Sequence, residues 1–216
     1  FVKLLTFWFC LSLIPILVSG KGLLRDADIE HAFAELAKPI LNAAGLSPSG
    51  VKIILIKDKQ PNAFIIDHKH IFVTSGLALK TRTAEMFQSI LAHETAHIAH
   101  GHVTRRGQNV RNARTVSTFG MALGIVSGAM TNNFELGTSL ALGASGSARG
   151  SLLAHTRAEE SAADQAAMSY LATSGIDGQG MLDVLDIFIN QENLSAGRQD
   201  RYARSHPLSR DRRRVL

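Results

Sequence analysis

Cysteine is almost missing from this 216-residue chain: the single one, Cys10, lies in an apolar N-terminal stretch. Residues 21–216 therefore have no disulfide, no cysteine-bound metal and no thiol nucleophile, and any metal there must be held by histidines and carboxylates. Aromatic residues make up only 6% of the chain, and no nucleic-acid-binding motif accompanies its arginines, so no nucleic-acid partner is expected. Apolar runs are short as well. Neither Leu4 to Val18 nor Phe119 to Met130 reaches the roughly 20 residues a membrane span needs. A charged fraction of 19% against 45% hydrophobic residues excludes wholesale disorder and suits one globular domain.

The first 20 residues have the layout of a secretory signal. Lys3 precedes the apolar run, which Thr6, Ser12 and Pro15 interrupt, and Val18-Ser19-Gly20 supplies small residues for cleavage. An uncleaved anchor is the competing reading. Either way residues 21–216 form the domain, placed outside the cytoplasm, and a periplasmic setting suits its lack of cysteine. The net charge of +5 comes largely from two arginine clusters. One holds Arg105, Arg106, Arg111 and Arg114; the other runs from Arg198 through Arg201, Arg204, Arg210, Arg212 and Arg213 to Arg214. Such clusters are usually solvated faces, and contact with an anionic membrane surface is the sharper alternative.

The periodicity predicts an α+β fold that is mainly helical with a small sheet. Asp26 or Asp28 opens a helix with Ile29, Phe33, Leu36 and Ile40 on one stripe, ending near Gly45. Val51 to Ile56 reads as a strand, and Ala63 to Ile66 with Ile71 to Val73 as a strand pair around Asp67-His68-Lys69-His70. The stretch Ile71 to Val73 is a candidate edge strand for an extended peptide. Residues 115–154 shift to Gly, Ala, Ser and Leu, which fits a mobile lid, a membrane-contacting hairpin or a connector. Helices are expected again from Arg157 to Thr173 and from about Gly180 to Asn190, followed by a polar, arginine-rich tail.

Within the helix expected from Met86 to His100 stands His93-Glu94-Thr95-Ala96-His97. Histidines four apart share one helical face, where they can hold one metal ion, and the glutamate between them can reach a water beside it. Thr83 and Glu85 supply the start of this helix and Gly101 its stop. Zinc takes such nitrogen ligands and keeps an open position when catalytic, so the pattern points to peptide-bond hydrolysis. A third ligand must come from elsewhere. The pattern that adds a histidine six residues after the pentad is excluded, because His100 stands at its glycine position and Val103 at its final histidine. A later helix offers Glu160, with Glu159 as rival, and Asp164 one turn on can accept a hydrogen bond from a ligand histidine.

Several motifs together resemble metallopeptidase family forty-eight, the gluzincin zinc endopeptidases. They are Asn62-Ala63-Phe64, Ser75-Gly76-Leu77, His93 to Ile98 with Gly101-His102, Arg157 with Glu160 and Ala163-Asp164, and His206-Pro207 before Arg212. The signal and the absence of spanning helices make the chain most similar to the BepA-like periplasmic branch, rather than to the HtpX-like or CAAX prenyl branches. It resembles a catalytic domain without the tetratricopeptide repeats of that branch. The resemblance implies one Zn(II) per chain on His93, His97 and Glu160, Glu94 as general base and Asp164 behind a ligand. It also implies that His206 reaches the site, either to stabilise the oxyanion or to occupy the open zinc position, with Arg212 in support. His102 is read as structural and His100 as incidental. His31, His68 and His70 are read as surface or loop residues.

The expected substrates are proteins or peptides, unfolded or misassembled envelope proteins in particular. Two other functions compete: a latent protease acting mainly as a periplasmic chaperone or adaptor, and a membrane-surface binding module.

Overall fold

β-Branched residues between Val51 and Ile56 fold as β1 (Lys52–Ile56), the first of three strands. The computed structural model describes residues 22–189, 191–195, 197–207 and 209–216, so the signal expected over residues 1–20 lies outside the described residues. β2 (Ala63–Ile65) pairs antiparallel with β3 (His70–Thr74), Phe64 opposite Phe72, and β1 lies parallel to β3, Leu55 opposite Val73. The turn before β3 is closed by Asp67, whose Oδ1 accepts from the backbone N–H of Lys69 at 2.8 Å and of His70 at 2.9 Å. Side-chain capture of this kind lets Asp make a turn that elsewhere calls for glycine.

The strand order β1-β3-β2 corrects one expectation. Ile71 to Val73 belong to the middle strand, whose backbone is engaged on both sides, so they cannot receive an added strand. The edge is β2. On the opposite side of the sheet, Leu23 bridges to Ile56.

Asp26 caps α1 (Ala27–Ala43) by accepting from the N–H groups of Asp28 and Ile29 at 3.0 and 3.1 Å. After the short α2 (Ser75–Lys80), α3 (Ala84–Ala99) begins at Thr83, whose hydroxyl accepts from the Met86 N–H at 3.2 Å. α4 (His102–Thr131) and α5 (Phe134–Thr173) form a long antiparallel hairpin that turns at Asn132-Asn133. The helix expected from Arg157 is thus the C-terminal part of a 40-residue element, because no proline interrupts residues 134–173. Residues 115–154 make up the distal part of this hairpin. α6 (Gln179–Phe188), a 3-10 turn (Gln191–Asn193), α7 (Arg201–Ser205) and α8 (Ser209–Val215) complete the chain. No helix among the described residues is long and apolar enough to cross a membrane.

α3 is the central element. Twelve of its 16 residues are buried, far more than one apolar stripe, because α1, α5, α6, β2 and β3 all pack against it. Ile40, Ile71, Ile90, Leu91 and Leu171 are each 0–1% exposed in this core. Burying side chains of that size stabilises by about 1.5–3 kcal/mol apiece.

The arginine-rich C-terminal segment is not a free tail. Tyr202 packs on Phe188 with ring centroids 4.9 Å apart, Arg201 pairs with Asp58 at 2.8 Å, and Arg213 pairs with Asp186. Arg212 is buried. Several arginines of the second cluster are thus drawn to different acidic partners, Arg201 to Asp58, Arg212 to Asp164 and Arg213 to Asp186, instead of forming one basic face.

Candidate metal centre

His93 and His97 lie one turn apart on α3, with their Nε2 atoms 3.0 Å from each other. The C-terminal half of α5 packs against this face and adds Glu160, whose Oε2 is 3.3 Å from His93 Nε2 and whose Oε1 is 3.5 Å from His97 Nε2. α7 ends at His206, whose backbone N–H donates to the Tyr202 carbonyl at 2.9 Å. Its ring Nδ1 lies 3.0 Å from Glu160 Oε2 and 3.1 Å from His93 Nε2. Each of His93, His97, Glu160 and His206 is buried, and their ligand atoms lie within 4.8 Å of one another. His93, His97 and Glu160 come from α3 and α5, and His206, which the resemblance implied would reach them, arrives from the C-terminal segment.

Glu94 stands beside them. Both its carboxylate oxygens are buried with no hydrogen-bond partner among the described residues. His206 Nε2 is 3.3 Å from Glu94 Oε1 but is not aligned as a donor to it. A buried carboxylate left this way is costly unless a cation or water answers it. Imidazole nitrogens and carboxylate oxygens at such spacing suit zinc and other borderline divalent metals. The residues present therefore fit a metal ion.

A second layer fixes the first. His93 Nδ1 is 2.9 Å from Asp164 Oδ1, and Arg212 holds the same carboxylate through Nε to Oδ2 at 2.6 Å and Nη2 to Oδ1 at 2.7 Å. Burial pushes the Asp164 carboxyl upward, but the bonds from Arg212 and His93 outweigh it and hold the group below its ordinary value. Asp164 thus stays an acceptor, which puts the His93 proton on Nδ1 and turns the Nε2 lone pair towards the centre. Arg212 Nη1 also donates to the His206 carbonyl at 3.2 Å, so one guanidinium links the second layer to the α7 end.

The electrostatics separate the rings. Burial, with His93 nearby, pushes His97 far below the ordinary histidine range and keeps its imidazole neutral, as a metal ligand requires. Burial opposes charge on His206 too, but the carboxylates of Glu160 and Glu94 outweigh it and raise that ring to about 10. Glu160 is lowered well below its usual value, because His206 and His93 overcome the effect of its burial.

His102 does more than was expected of it. It is buried, and its Nδ1 lies 2.7 Å from His97 Nδ1, on the ring atom facing away from the centre. Gly101, at φ +65°, makes the break between α3 and α4 that brings His102 back against His97. The five-residue spacing of His97 and His102 across a glycine was the signal in the sequence. Tyr202, which no motif in the sequence marks, packs its ring 4.7 Å from that of His206. The remaining candidates stand aside: His100, His31 and His68 are exposed, and His70 pairs with Asp67. Glu159 is outside the converging group and lines the adjoining cleft.

That cleft, about 490 Å³, has Phe64 and Ile65 of β2 on one side and Val103 and Arg106 of α4 on the other, with Glu94 and His97 in its wall. The cleft-lining part of α4 is His102 to Arg114, ahead of the Gly/Ala-rich segment.

Comparison with known proteins agrees with this geometry. Residues 23–216 match Peptidase family M48. The chain belongs to peptidase family M48. It is 24% identical over 190 residues to the beta-barrel assembly-enhancing protease of Escherichia coli K12, covering 88% of this chain and 38% of that protein. It is likewise 24% identical over 197 residues to a putative beta-barrel assembly-enhancing protease of Vibrio cholerae serotype O1, covering 90% and 40% respectively. This M48 chain thus spans about two fifths of the length of the curated relatives it matches. The buried His/Glu group of this M48 chain can hold the metal that peptidases of its family use.

Proposed function

We propose that this M48 chain is a zinc metalloendopeptidase of the bacterial periplasm that cleaves internal peptide bonds of unfolded or misassembled envelope proteins. The observation that carries the reading is the convergence of His93, His97 and Glu160 beside a buried Glu94 carboxylate without hydrogen bonds. The envelope setting is supported by the signal-like layout of residues 1–20 and by the names of the relatives, which speak of β-barrel assembly.

In this reading His93, His97 and Glu160 hold one Zn(II) ion. When bound, the ion supplies Lewis acidity towards the scissile carbonyl and makes water more acidic. Glu94 takes the proton of the attacking water and passes it to the leaving amine. Asp164, itself held by Arg212, keeps His93 in the ligating tautomer. The free edge of β2 aligns the substrate backbone along the cleft by main-chain hydrogen bonds, which demand little of the substrate sequence. The test is Glu94→Gln. It should bind one zinc per chain, by metal analysis, while casein cleavage falls by about 10²–10⁴-fold. Undiminished cleavage by purified Glu94→Gln would overturn the mechanism.

The position of His206 favours a second reading, that of a resting protease held off and acting mainly as chaperone or adaptor. Its Nδ1 lies among the ligand atoms rather than beside them. If His206 occupies the open metal position, His206→Ala should cleave casein faster than wild type; if it stabilises the oxyanion, the same variant should be slower.

A further inference from the structure

The distal hairpin is built inside out for a soluble pair of helices. Its seam is made of small residues: a side chain added at Gly120 would put its Cβ 2.0 Å from Ala144 Cβ, and one at Gly124 would lie 2.4 Å from the Gly137 carbonyl. The large apolar residues point outward instead. Phe119 is 66% exposed, Ile125 74%, Met130 82% and Leu142 73%. At about 100° per residue, Phe119, Leu123, Val126 and Met130 form one stripe on α4, and Met121 and Ile125 form another on the other side of the seam. α5 repeats the arrangement, with Leu136 and Leu140 on one stripe and Leu142 and Leu153 on another. Both broad faces of the hairpin are therefore apolar and bare. Small residues in the seam with large ones outside is the packing of helix pairs in lipid.

Charge marks where the apolar stretch begins and ends. Between Arg114 and Arg149 the only Asp, Glu, Lys or Arg is Glu135. The contact of Gly120 with Ala144 puts Arg114 and Arg149 at the same level of the antiparallel pair, and both are exposed, as is Arg111 one turn nearer the body. At the far end, Asn132, Asn133 and Glu135 make the turn polar. The apolar stretch of α4 between these ends is about 25 Å long. Since neither helix can cross a bilayer, a stretch bracketed by polar groups lies along one leaflet, with arginines at the anionic headgroups.

We infer that the distal α4–α5 hairpin is a membrane-docking device that seats the M48 domain on an anionic bilayer through its apolar faces and its arginine collar. Docking is read without zinc or cleavage, so its failure and a failure of the hydrolytic reading are distinguishable. The test is flotation of the whole protein with phosphatidylcholine vesicles, with and without phosphatidylglycerol, at low and high salt. Wild type should float with the phosphatidylglycerol vesicles, and less at high salt. Leu123→Ser/Val126→Ser/Leu140→Ser should partition about tenfold less or worse with an unchanged melting temperature, since all three side chains are exposed.

Failure of wild type to float would overturn the proposal. Flotation unchanged in the triple variant would do so too, since it would assign the affinity to the apolar N-terminus. Light scattering that showed a dimer dissolved by the triple variant, with no vesicle binding, would reassign the surface to a second copy. Loss of binding to reduced, unfolded α-lactalbumin, with vesicle binding intact, would reassign it to polypeptide clients.

Discussion

α3 and the distal half of the α4–α5 hairpin are both helical, yet each inverts the other. α3 buries His93, Glu94 and His97 inside the protein, whereas the hairpin exposes Phe119, Ile125 and Met130 on its surface. In α3 the cost of burying ionisable groups is offset by partners from distant parts of the chain: Asp164 and Glu160 from α5, His206 from the end of α7 and Arg212 from α8. Among the described residues the exposed apolar side chains of the hairpin have no such partners, and its own small-residue seam is too narrow to take them. Polar groups in a core and apolar groups on a surface are the informative exceptions to ordinary burial. Here the first marks chemistry, and the second marks a boundary with something other than water.

Three changes probe that contrast. Arg212→Ala should have the largest effect, because it leaves Asp164 as an uncompensated buried carboxylate; a loss of about 3–5 kcal/mol is expected, read as the urea midpoint. A shift no larger than that of an exposed arginine such as Arg214→Ala would show that the pair does not hold the site. Asp164→Asn keeps the shape but weakens the acceptor behind His93. Because Arg212 then loses its buried counter-charge, the melting temperature falls as well; zinc affinity, measured by chelator competition on the folded protein, should fall about 10–100-fold, and equal affinity would remove Asp164 from the metal's support. Leu123→Ser should have the smallest effect, within about 0.5 kcal/mol of wild type in water. A large destabilisation there would mean that the hairpin is covered by the protein itself, and the contrast with α3 would disappear.

Much of this was legible in the sequence because it is local. Asp26 and Thr83 opened their helices as side-chain caps, and the pentad set two histidines on one helical face by spacing alone. The α+β architecture with mainly helical content followed from periodicity. What went astray depended on neighbours. The edge role assigned to Ile71 to Val73 failed because strand order is settled by which strands meet, and β2 took the outer place. Apolar residues at helical spacing account for only one stripe of α3; helices and sheet packed around it buried almost all of it, charges included. His102 looked structural because its partner, the far nitrogen of His97, is visible only once Gly101 has turned the chain.

The sequence by itself determined the residue types a metal site needs, the exclusion of cysteine chemistry and an apolar segment between Arg114 and Arg149 whose one charged residue is Glu135. Tertiary structure alone decided how closely Glu160 and His206, both named from the sequence and its resemblance, approach the two histidines, His206 from 113 residues beyond His93. It also decided that Arg212 is a buried partner of Asp164, while other arginines of the same cluster pair at the surface. The reason is physical. Helix phase and capping depend on residues within a turn or two of each other, whereas ligand convergence and the burial of a charge depend on how distant elements pack.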